Sequence, residues 1–305
     1  MVANRISPSR FFGNPLIRLF AGAVLISFSA VWVRLTSVSP ATSGFYRLAI
    51  GGAALALVLL LSRRRFALSR RAWLILAAGT VFFALDIWFF HASIVIVGPG
   101  LATLLSNFQV FFMALAGILF LGQSPRLLQL VAIPLALFGL GLIVGFDWSA
   151  LASEYRWGVI VGLLAGLFYA AYMLMMRASR RDSTDSLPVA EVAVVSIGSA
   201  CLLGAAAFIE GESLLIPTAI DAVWLFNYGV LSQCLGLLLI ASSLRLVTTT
   251  QAGIALLLQP TLSFAWDVLF FDRPMSMTEL VGALLTLGAI YMGARGGSKQ
   301  LKPAG

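Results

Sequence analysis

Apolar residues dominate ten long stretches of this chain, and short polar joints separate them. The stretches, numbered here as spans 1 to 10, cover residues 15–35, 42–61, 72–96, 98–121, 126–146, 156–176, 188–209, 222–244, 250–271 and 277–294. Each is close to the about 20 residues that a helix needs to cross the hydrocarbon core of a membrane. Because a backbone amide in lipid needs a partner within its own segment, the pattern predicts an all-α integral membrane protein with ten transmembrane helices.

The second half of the chain restates the first about 150 residues later. At that offset Gln109 corresponds to Gln259 and Phe120 to Phe270, and span lengths and span order agree as well. Each half holds five spans, an odd number, so a second copy must enter the membrane with the opposite polarity. The expected architecture is a single membrane domain made of two inverted five-helix repeats, residues 1–149 and 150–305.

Composition and charge agree with a membrane protein. Hydrophobic residues make up 60% of the chain and charged residues 10%, which excludes an ordinary soluble domain. Ten spans put both termini and every second loop on one side, and 16 of the 20 basic residues fall there. The positive-inside rule therefore predicts a multi-pass protein of the cell (inner) membrane with both termini in the cytoplasm. The net charge of +8 reflects this orientation beside an anionic leaflet, so no nucleic-acid partner is expected.

Enzymatic chemistry finds no support in the residue pattern. Cys201 and Cys234 lie within spans 7 and 8 and lack the spacing of metal ligands. No phosphate-binding glycine loop and no nucleophile with an adjacent base are readable. We therefore expect neither an enzyme nor a cofactor or metal site.

Two charged residues fall well inside predicted spans. Asp86 lies ten residues from the outer end of span 3, about 15 Å deep at the usual helical rise. A carboxylate there costs on the order of 3 kcal/mol unless it is paired, hydrated or protonated. Arg47, in span 2, is the natural partner. Either the two neutralise each other and stabilise the first repeat, or Arg47 binds a substrate carboxylate while Asp86 binds an amine or a proton.

His91 is the only histidine of the chain and lies about one turn beyond Asp86. It could titrate near physiological pH, or it could simply hydrogen-bond a neighbouring helix. Phe90 beside it adds an aromatic wall. The other candidate substrate-binding residues are polar or aromatic side chains at mid-span, each of which could instead serve helix packing: Asn107, Phe111, Tyr169, Tyr172, Gln259 and Trp266.

Two further features carry secondary expectations. Asp267 lies near the outer end of span 9, where it is expected to reach water and is a weaker candidate for proton coupling. Gly158, Gly162 and Gly166 recur every four residues on span 6, which favours close helix contact within the monomer or in a dimer.

Several motifs resemble the drug/metabolite transporter superfamily, in its ten-helix EamA-type branch. The glycine-rich spans 5 and 10 match it, and the other matching motifs are Phe45-Tyr46-Arg47-Leu48-Ala49 and Leu258-Gln259-Pro260. The chain departs from the family pattern where Gly122-Gln123 replaces the usual acid and where Val33 follows Trp32 in place of glycine. Within the family, Phe90-His91 is most similar to exporters of aromatic and other amino acids.

The resemblance implies a secondary transporter that works by alternating access. Spans 1 to 4 and 6 to 9 would line the cavity, and spans 5 and 10 would be peripheral. The expected activity is export of amino acids or related metabolites by a monomer or homodimer in contact with membrane lipids. The alternatives are a multidrug exporter of cationic compounds with the same fold and a non-transporting membrane scaffold or lipid-binding protein.

Overall fold

The computed structural model describes residues 14–61, 69–122, 127–179, 189–243, 246–247 and 249–295. These residues form helices joined by short connections, without a strand. The helices, labelled by span, are α1 (Pro15–Ser27 and Ser29–Leu35), α2 (Pro40–Leu61), α3 (Arg70–Val97), α4 (Pro99–Ser106 and Gln109–Leu121), α5 (Leu127–Val144), α6 (Ser153–Ser179), α7 (Val189–Ile209), α8 (Ala219–Asn227, a π-helical segment Tyr228–Gly236, and Leu237–Ser243), α9 (Thr249–Phe271) and α10 (Met277–Arg295).

The predicted membrane-spanning architecture is confirmed. Within the described ranges, nine helical spans are long and apolar enough to cross a membrane, and α9 adds a shorter apolar stretch, Leu257–Phe271. Pattern reading did not anticipate three irregularities inside spans. α1 is interrupted at Phe28, α4 is interrupted at Asn107 and Phe108, and α8 widens into a π-helix between two α-helical ends.

Five joints, three of which contain acidic residues, gather at one end of the bundle, which we call the acidic end. It holds the joints at 36–39, 98, 145–152, 210–218 and 272–276. Direct contacts bring these joints together: Ser37 in the first joint bonds Asp221 beyond the fourth, and Gly100 after the second bonds Asp267 before the fifth. The opposite end is called the basic end, because α3 begins there with Arg70.

Helix pairing follows a two-fold pattern. α3 packs along α6 while α1 packs along α8, and α4 contacts α6 while α9 contacts α1. The pairs α2–α7, α4–α9 and α5–α10 each join a helix to its counterpart in the other half. Exchanging the halves therefore maps these pairs onto one another, as expected for inverted repeats. The division at residues 149 and 150 stays a prediction.

Small residues allow the closest helix approaches. A Cβ at Gly22 on α1 would lie 2.8 Å from the carbonyl oxygen of Gly236 on α8, so neither helix leaves room for a side chain there. The predicted glycine stripe on α6 faces α3 and the first part of α4 inside the monomer, where Gly158 touches Ile96 and Val97. This stripe therefore serves packing within the chain.

The sharp joint between α3 and α4 depends on Gly98 and on Asp267. Gly98 has φ +87°, a left-handed conformation that favours glycine, and Pro99 then starts α4. The backbone N–H of Gly100 donates to Asp267 Oδ2 over 3.0 Å, and Arg273 Nη1 lies 3.4 Å from the same oxygen. Asp267 is only 2% exposed, so the expectation that it reaches water is wrong. Its carboxylate instead caps the first turn of α4.

Candidate functional site

Arg47 lies at the centre of the bundle and is anchored to α8. Its Nε donates to Gln233 Oε1 over 3.0 Å, and its Nη1 donates to the Tyr228 hydroxyl over 2.7 Å. The guanidinium carbon also lies 4.8 Å from the centre of the Tyr228 ring, a cation–π distance. Two charge-assisted hydrogen bonds and a stacked ring therefore hold this cation in one geometry.

His91 extends the same set of contacts to α3. Its Nε2 is 2.8 Å from the Tyr228 hydroxyl, and its Nδ1 is 3.2 Å from the carbonyl oxygen of Pro40 at the start of α2. A carbonyl oxygen only accepts, so Nδ1 carries the proton and Nε2 of the neutral ring accepts from Tyr228. Tyr228 thus accepts from Arg47 and donates to His91.

Gln233 continues the hydrogen bonds in the other direction. While its Oε1 accepts from Arg47, its Nε2 donates to Ser196 Oγ on α7 over 3.1 Å. One connected set, which we call the central chain, therefore runs from Ser196 through Gln233, Arg47, Tyr228 and His91 to the Pro40 carbonyl. It joins α7, α8, α2 and α3.

Sequence reasoning missed Tyr228, Gln233 and Ser196, all three of which are completely buried. A usable signal existed for Gln233, because a polar amide in the middle of span 8 meets the same criterion that singled out Asp86 and His91. Tyr228 carried no such signal, since nothing in the residue pattern announces a π-helix.

The π-helical segment explains why Tyr228 and Gln233 both reach Arg47. A π-helix closes its hydrogen bonds from residue i to residue i+5, so two residues five apart lie one above the other. The close approach of α2 reinforces this contact. A Cβ at Gly51, one turn beyond Arg47, would lie 3.0 Å from the carbonyl oxygen of Gly229 and would collide with the Gln233 side chain.

Asp86 does not take part in the central chain. It is 4% exposed, and in the described part of the molecule its carboxylate makes neither a hydrogen bond nor an ion pair within 4 Å. The direct Arg47–Asp86 pair expected from sequence is therefore not formed. Arg47 still acts on Asp86 electrostatically, and Asp86 in turn acts on Tyr169 and Tyr172 of α6.

The aromatic candidates divide between two clusters beside this centre. Tyr172 stacks on Phe83 with ring centres 4.4 Å apart, and Tyr169 lies 5.7 Å from Tyr172. Phe90 and Phe111 belong instead to the largest buried cluster, together with Tyr228. Phe83 and Phe90 of α3 therefore belong to different clusters, and Phe111 lies next to Gly293 of α10.

The remaining candidates lie on α4 and α9. Asn107 Nδ2 donates to the Thr103 carbonyl over 2.7 Å at the interruption of α4. Trp266 Nε1 donates to Ser27 Oγ over 3.0 Å, and its ring stacks on Phe28 at 4.7 Å. Gln259 is half-buried on α9. Neither Asn107 nor Trp266 bonds directly to the central chain.

A second set of polar contacts lies at the acidic end, close to Pro40. Asp221 accepts from the Ser37 backbone N–H and from the Ser37 hydroxyl, each over 2.9 Å. Nearby, Ser39 donates to Glu212, and the Tyr46 hydroxyl donates to the Leu214 carbonyl over 2.7 Å. These bonds join the α1–α2 joint to the α7–α8 joint, a set that we call the acidic-end seal.

A bundle of apolar helices in two matched halves, with an anchored cation and a buried carboxylate at mid-depth, is the architecture of a membrane transporter. The family model for the EamA-like transporter family matches the chain twice, over residues 14–145 and 156–294. The chain belongs to the EamA-like transporter family.

Individual relatives agree with this membership. An uncharacterized transporter of Archaeoglobus fulgidus is 24% identical over 175 residues, which is 57% of this chain and 60% of that protein. The uncharacterized transporter YwfM of Bacillus subtilis is 27% identical over 263 residues, covering 85% of this chain and 86% of its own. A solved crystal structure of a protein 17% identical in sequence matches 92% of this chain and 97% of its own, with a TM-score of 0.65, and so has the same fold.

Proposed function

We propose that this protein is a secondary transporter that exports amino acids or related small metabolites across the cell membrane by alternating access. Family membership and the paired helices of the two halves support a carrier of this kind. The concentration of basic residues at one end supports cytoplasmic termini and an acidic end that faces outward.

The observation that carries the proposal is that Arg47 and Asp86 differ in their hydrogen-bond partners. Arg47 uses Nε and Nη1 for Gln233 and Tyr228, and no hydrogen bond to a described residue occupies its Nη2. Asp86 has no hydrogen-bond partner among the described residues. A zwitterion supplies what both lack, a carboxylate for the guanidinium and an ammonium for the carboxylate.

The walls around these charges suit a substrate with an apolar or aromatic side chain. Phe90 belongs to one buried cluster, which also includes Phe111 next to Gly293 of α10, and Tyr172, with Tyr169 packed against it, belongs to the other. Asn107, Gln259 and Trp266 are proposed as further contacts, which a solute meets on its way through the bundle. Predominantly apolar lining with a few fixed polar groups is typical of small-molecule sites.

His91 is proposed to sense the bound solute through Tyr228. A substrate carboxylate that binds Arg47 competes with the Tyr228 hydroxyl for the guanidinium, which changes the hydrogen bond that His91 accepts. Because the other nitrogen of His91 bonds Pro40, this change reaches the start of α2 next to the acidic-end seal.

Counterflow in proteoliposomes tests the proposal. Vesicles loaded with one unlabelled amino acid at a time should accumulate the radiolabelled form only when they contain the protein. Asp86→Asn and Arg47→Lys should each reduce this accumulation at least about tenfold, because lysine lacks the planar fork that can bond Gln233, Tyr228 and a substrate carboxylate together, and asparagine cannot form an ion pair with an ammonium. Asp272→Asn is the matched control, since Asp272 is exposed at the acidic end and should leave flux unchanged.

The alternatives give different outcomes in the same vesicles. Flux of hydrophobic cations without amino-acid flux would identify a multidrug exporter. Absence of flux for amino acids and cations alike would favour a membrane scaffold, and either result would overturn the proposal.

A further inference from the structure

A groove opens sideways between α3 and α7, away from the central chain. Its volume is about 200 Å³. α3 contributes Ala84 and Trp88 to its lining, and α7 contributes Leu203, Ala206 and Glu210 among others. Apart from Glu210, its lining is apolar. Alanines on both walls create the depth, because larger side chains at these positions would fill it.

The position of the groove in the bundle determines what fills it. Its rim carries side chains that face outward into lipid, including Val81 at 47% and Leu202 at 42% exposure. Its floor is tightly packed, with Ala84 at 6% and Leu203 at 3% exposure. An apolar groove that opens into hydrocarbon has acyl chains as its surrounding medium, so an acyl chain is the occupant of matching chemistry.

Glu210 places a negative charge at the end of this apolar groove, which favours a lipid whose head group carries a positive charge. It follows directly after the last residue of α7, at the acidic end, four residues and thus about 6 Å beyond Ala206. Its side chain is exposed, and no described arginine or lysine lies within 4 Å of it. The neighbouring acids Glu212 and Asp221 are already bound by Ser39 and Ser37.

We propose that this groove binds one phospholipid whose head group carries a primary ammonium. The acyl chain lies between α3 and α7, and the ammonium bonds the Glu210 carboxylate. An anionic head group without an amine is repelled by the same carboxylate, so the site selects between lipids with identical tails.

The bound lipid supports the wall of the central site. Ala84 and Leu203, which form its floor, belong to the same buried cluster as Phe83 and Tyr172 beside Asp86. The lipid therefore packs against the buried cluster that contains Phe83 and Tyr172.

Native mass spectrometry of the purified full-length protein tests the proposal. The protein is titrated with phosphatidylethanolamine and with phosphatidylglycerol that carry the same acyl chains. The wild type should retain phosphatidylethanolamine about three- to tenfold more strongly, and Glu210→Gln should reduce that ratio towards one. Glu154→Gln, at an exposed acid of the same end that does not line the groove, should leave the ratio unchanged.

A second pair of variants separates the groove from the rest of the surface. Ala206→Phe fills the groove and should reduce retention of both lipids, whereas Ala205→Phe adds the same ring at the neighbouring exposed position and should not. Equal retention of the two lipids by the wild type, an unchanged ratio in Glu210→Gln, or equal effects of the two phenylalanines would each overturn the proposal. Thermal unfolding of every variant confirms that the folded protein is being compared.

Discussion

Helices α3 and α8 each carry two polar side chains five residues apart, but the pair on α3 faces different neighbours and the pair on α8 contacts the same residue. On α3, five residues correspond to about 140° of rotation, so Asp86 and His91 face different neighbours. On α8, the π-helical segment bonds residue i to residue i+5 and brings residues five apart to the same side, so Tyr228 and Gln233 both reach Arg47. The same spacing therefore separates two functional groups on one helix and joins two on the other.

The two helices also differ in how they hold their charged neighbours, Arg47 and Asp86. α8 supplies the partners that immobilise Arg47, whereas α3 presents a carboxylate without a described partner and a histidine inside the central chain. The π-helix therefore holds the Arg47 guanidinium in place, whereas Asp86 on the regular helix has no hydrogen-bond partner among the described residues.

The largest expected effect comes from single-residue deletions that change these spacings. Deleting Phe89 from α3 turns every later residue of that helix by about 100° and removes His91 from Tyr228 and Pro40. Deleting Leu231 from α8 shortens the Tyr228–Gln233 spacing to four, which an ordinary α-helix keeps on one face. Thermal unfolding in detergent should show the Phe89 deletion lowering Tm about twice as far as the Leu231 deletion.

Equal losses of Tm for the two deletions would contradict this interpretation. They would mean that the π-helical geometry, and not only the shared face, is needed for the fold.

Arg47→Met ranks next, because it removes the donor shared by Tyr228 and Gln233 and leaves Asp86 without its nearby cation. The cost should be on the order of 3 kcal/mol. Adding Asp86→Asn to this variant should restore part of the lost Tm, since no buried charge then remains unbalanced. Arg34→Met is the matched control, because Arg34 is exposed and donates to one carbonyl, that of Val95, so its loss should cost about 1 kcal/mol or less.

Tyr228→Phe keeps the aromatic ring over Arg47 but removes the hydroxyl between Arg47 and His91. Both partners lose a buried hydrogen bond, so we expect a cost of about 1–3 kcal/mol in thermal unfolding. Tyr46→Phe loses a single bond to the Leu214 carbonyl in the acidic-end seal and should cost less. The hypothesis fails if Tyr46→Phe proves the more destabilising of the two.

Asp86→Asn has the smallest expected effect on stability, and its sign is opposite. The carboxylate is buried without a described partner, so neutralising it should raise Tm slightly, by the equivalent of about 0.5–1 kcal/mol of stability, while amino-acid flux falls. Functional groups held at a cost to stability commonly behave in this way. A drop in Tm comparable to that of Arg47→Met would show that Asp86 is a structural partner instead.

Hydropathy predicted most of the fold, because each span must satisfy its own backbone hydrogen bonds in lipid. Span 3, predicted at 72–96, is the helix Arg70–Val97, and span 10, predicted at 277–294, is Met277–Arg295. The interruptions at Phe28 and at Asn107 left no trace in hydropathy, since apolar residues surround both.

The candidate site was predictable only from its charged members. Arg47, Asp86 and His91 stand out because such residues are costly within a span. Their contacts depend on which way each side chain points from its helix axis. Five residues along the chain give different directions on the α-helical α3 and on the π-helical segment of α8, and the sequence does not show which kind of helix forms. The roles of all ten candidate residues in substrate binding stay predictions.

The bond between His91 and Pro40 has one more consequence. The imidazole proton on Nδ1 is shared with the first turn of α2, directly beside the loop that Asp221 holds shut. Any movement of α2 that opened this loop would withdraw the acceptor of the Nδ1 proton, so His91 would have to bond another acceptor or keep a buried N–H unsatisfied. The position of α2 and the hydrogen bonding of the buried imidazole are therefore coupled.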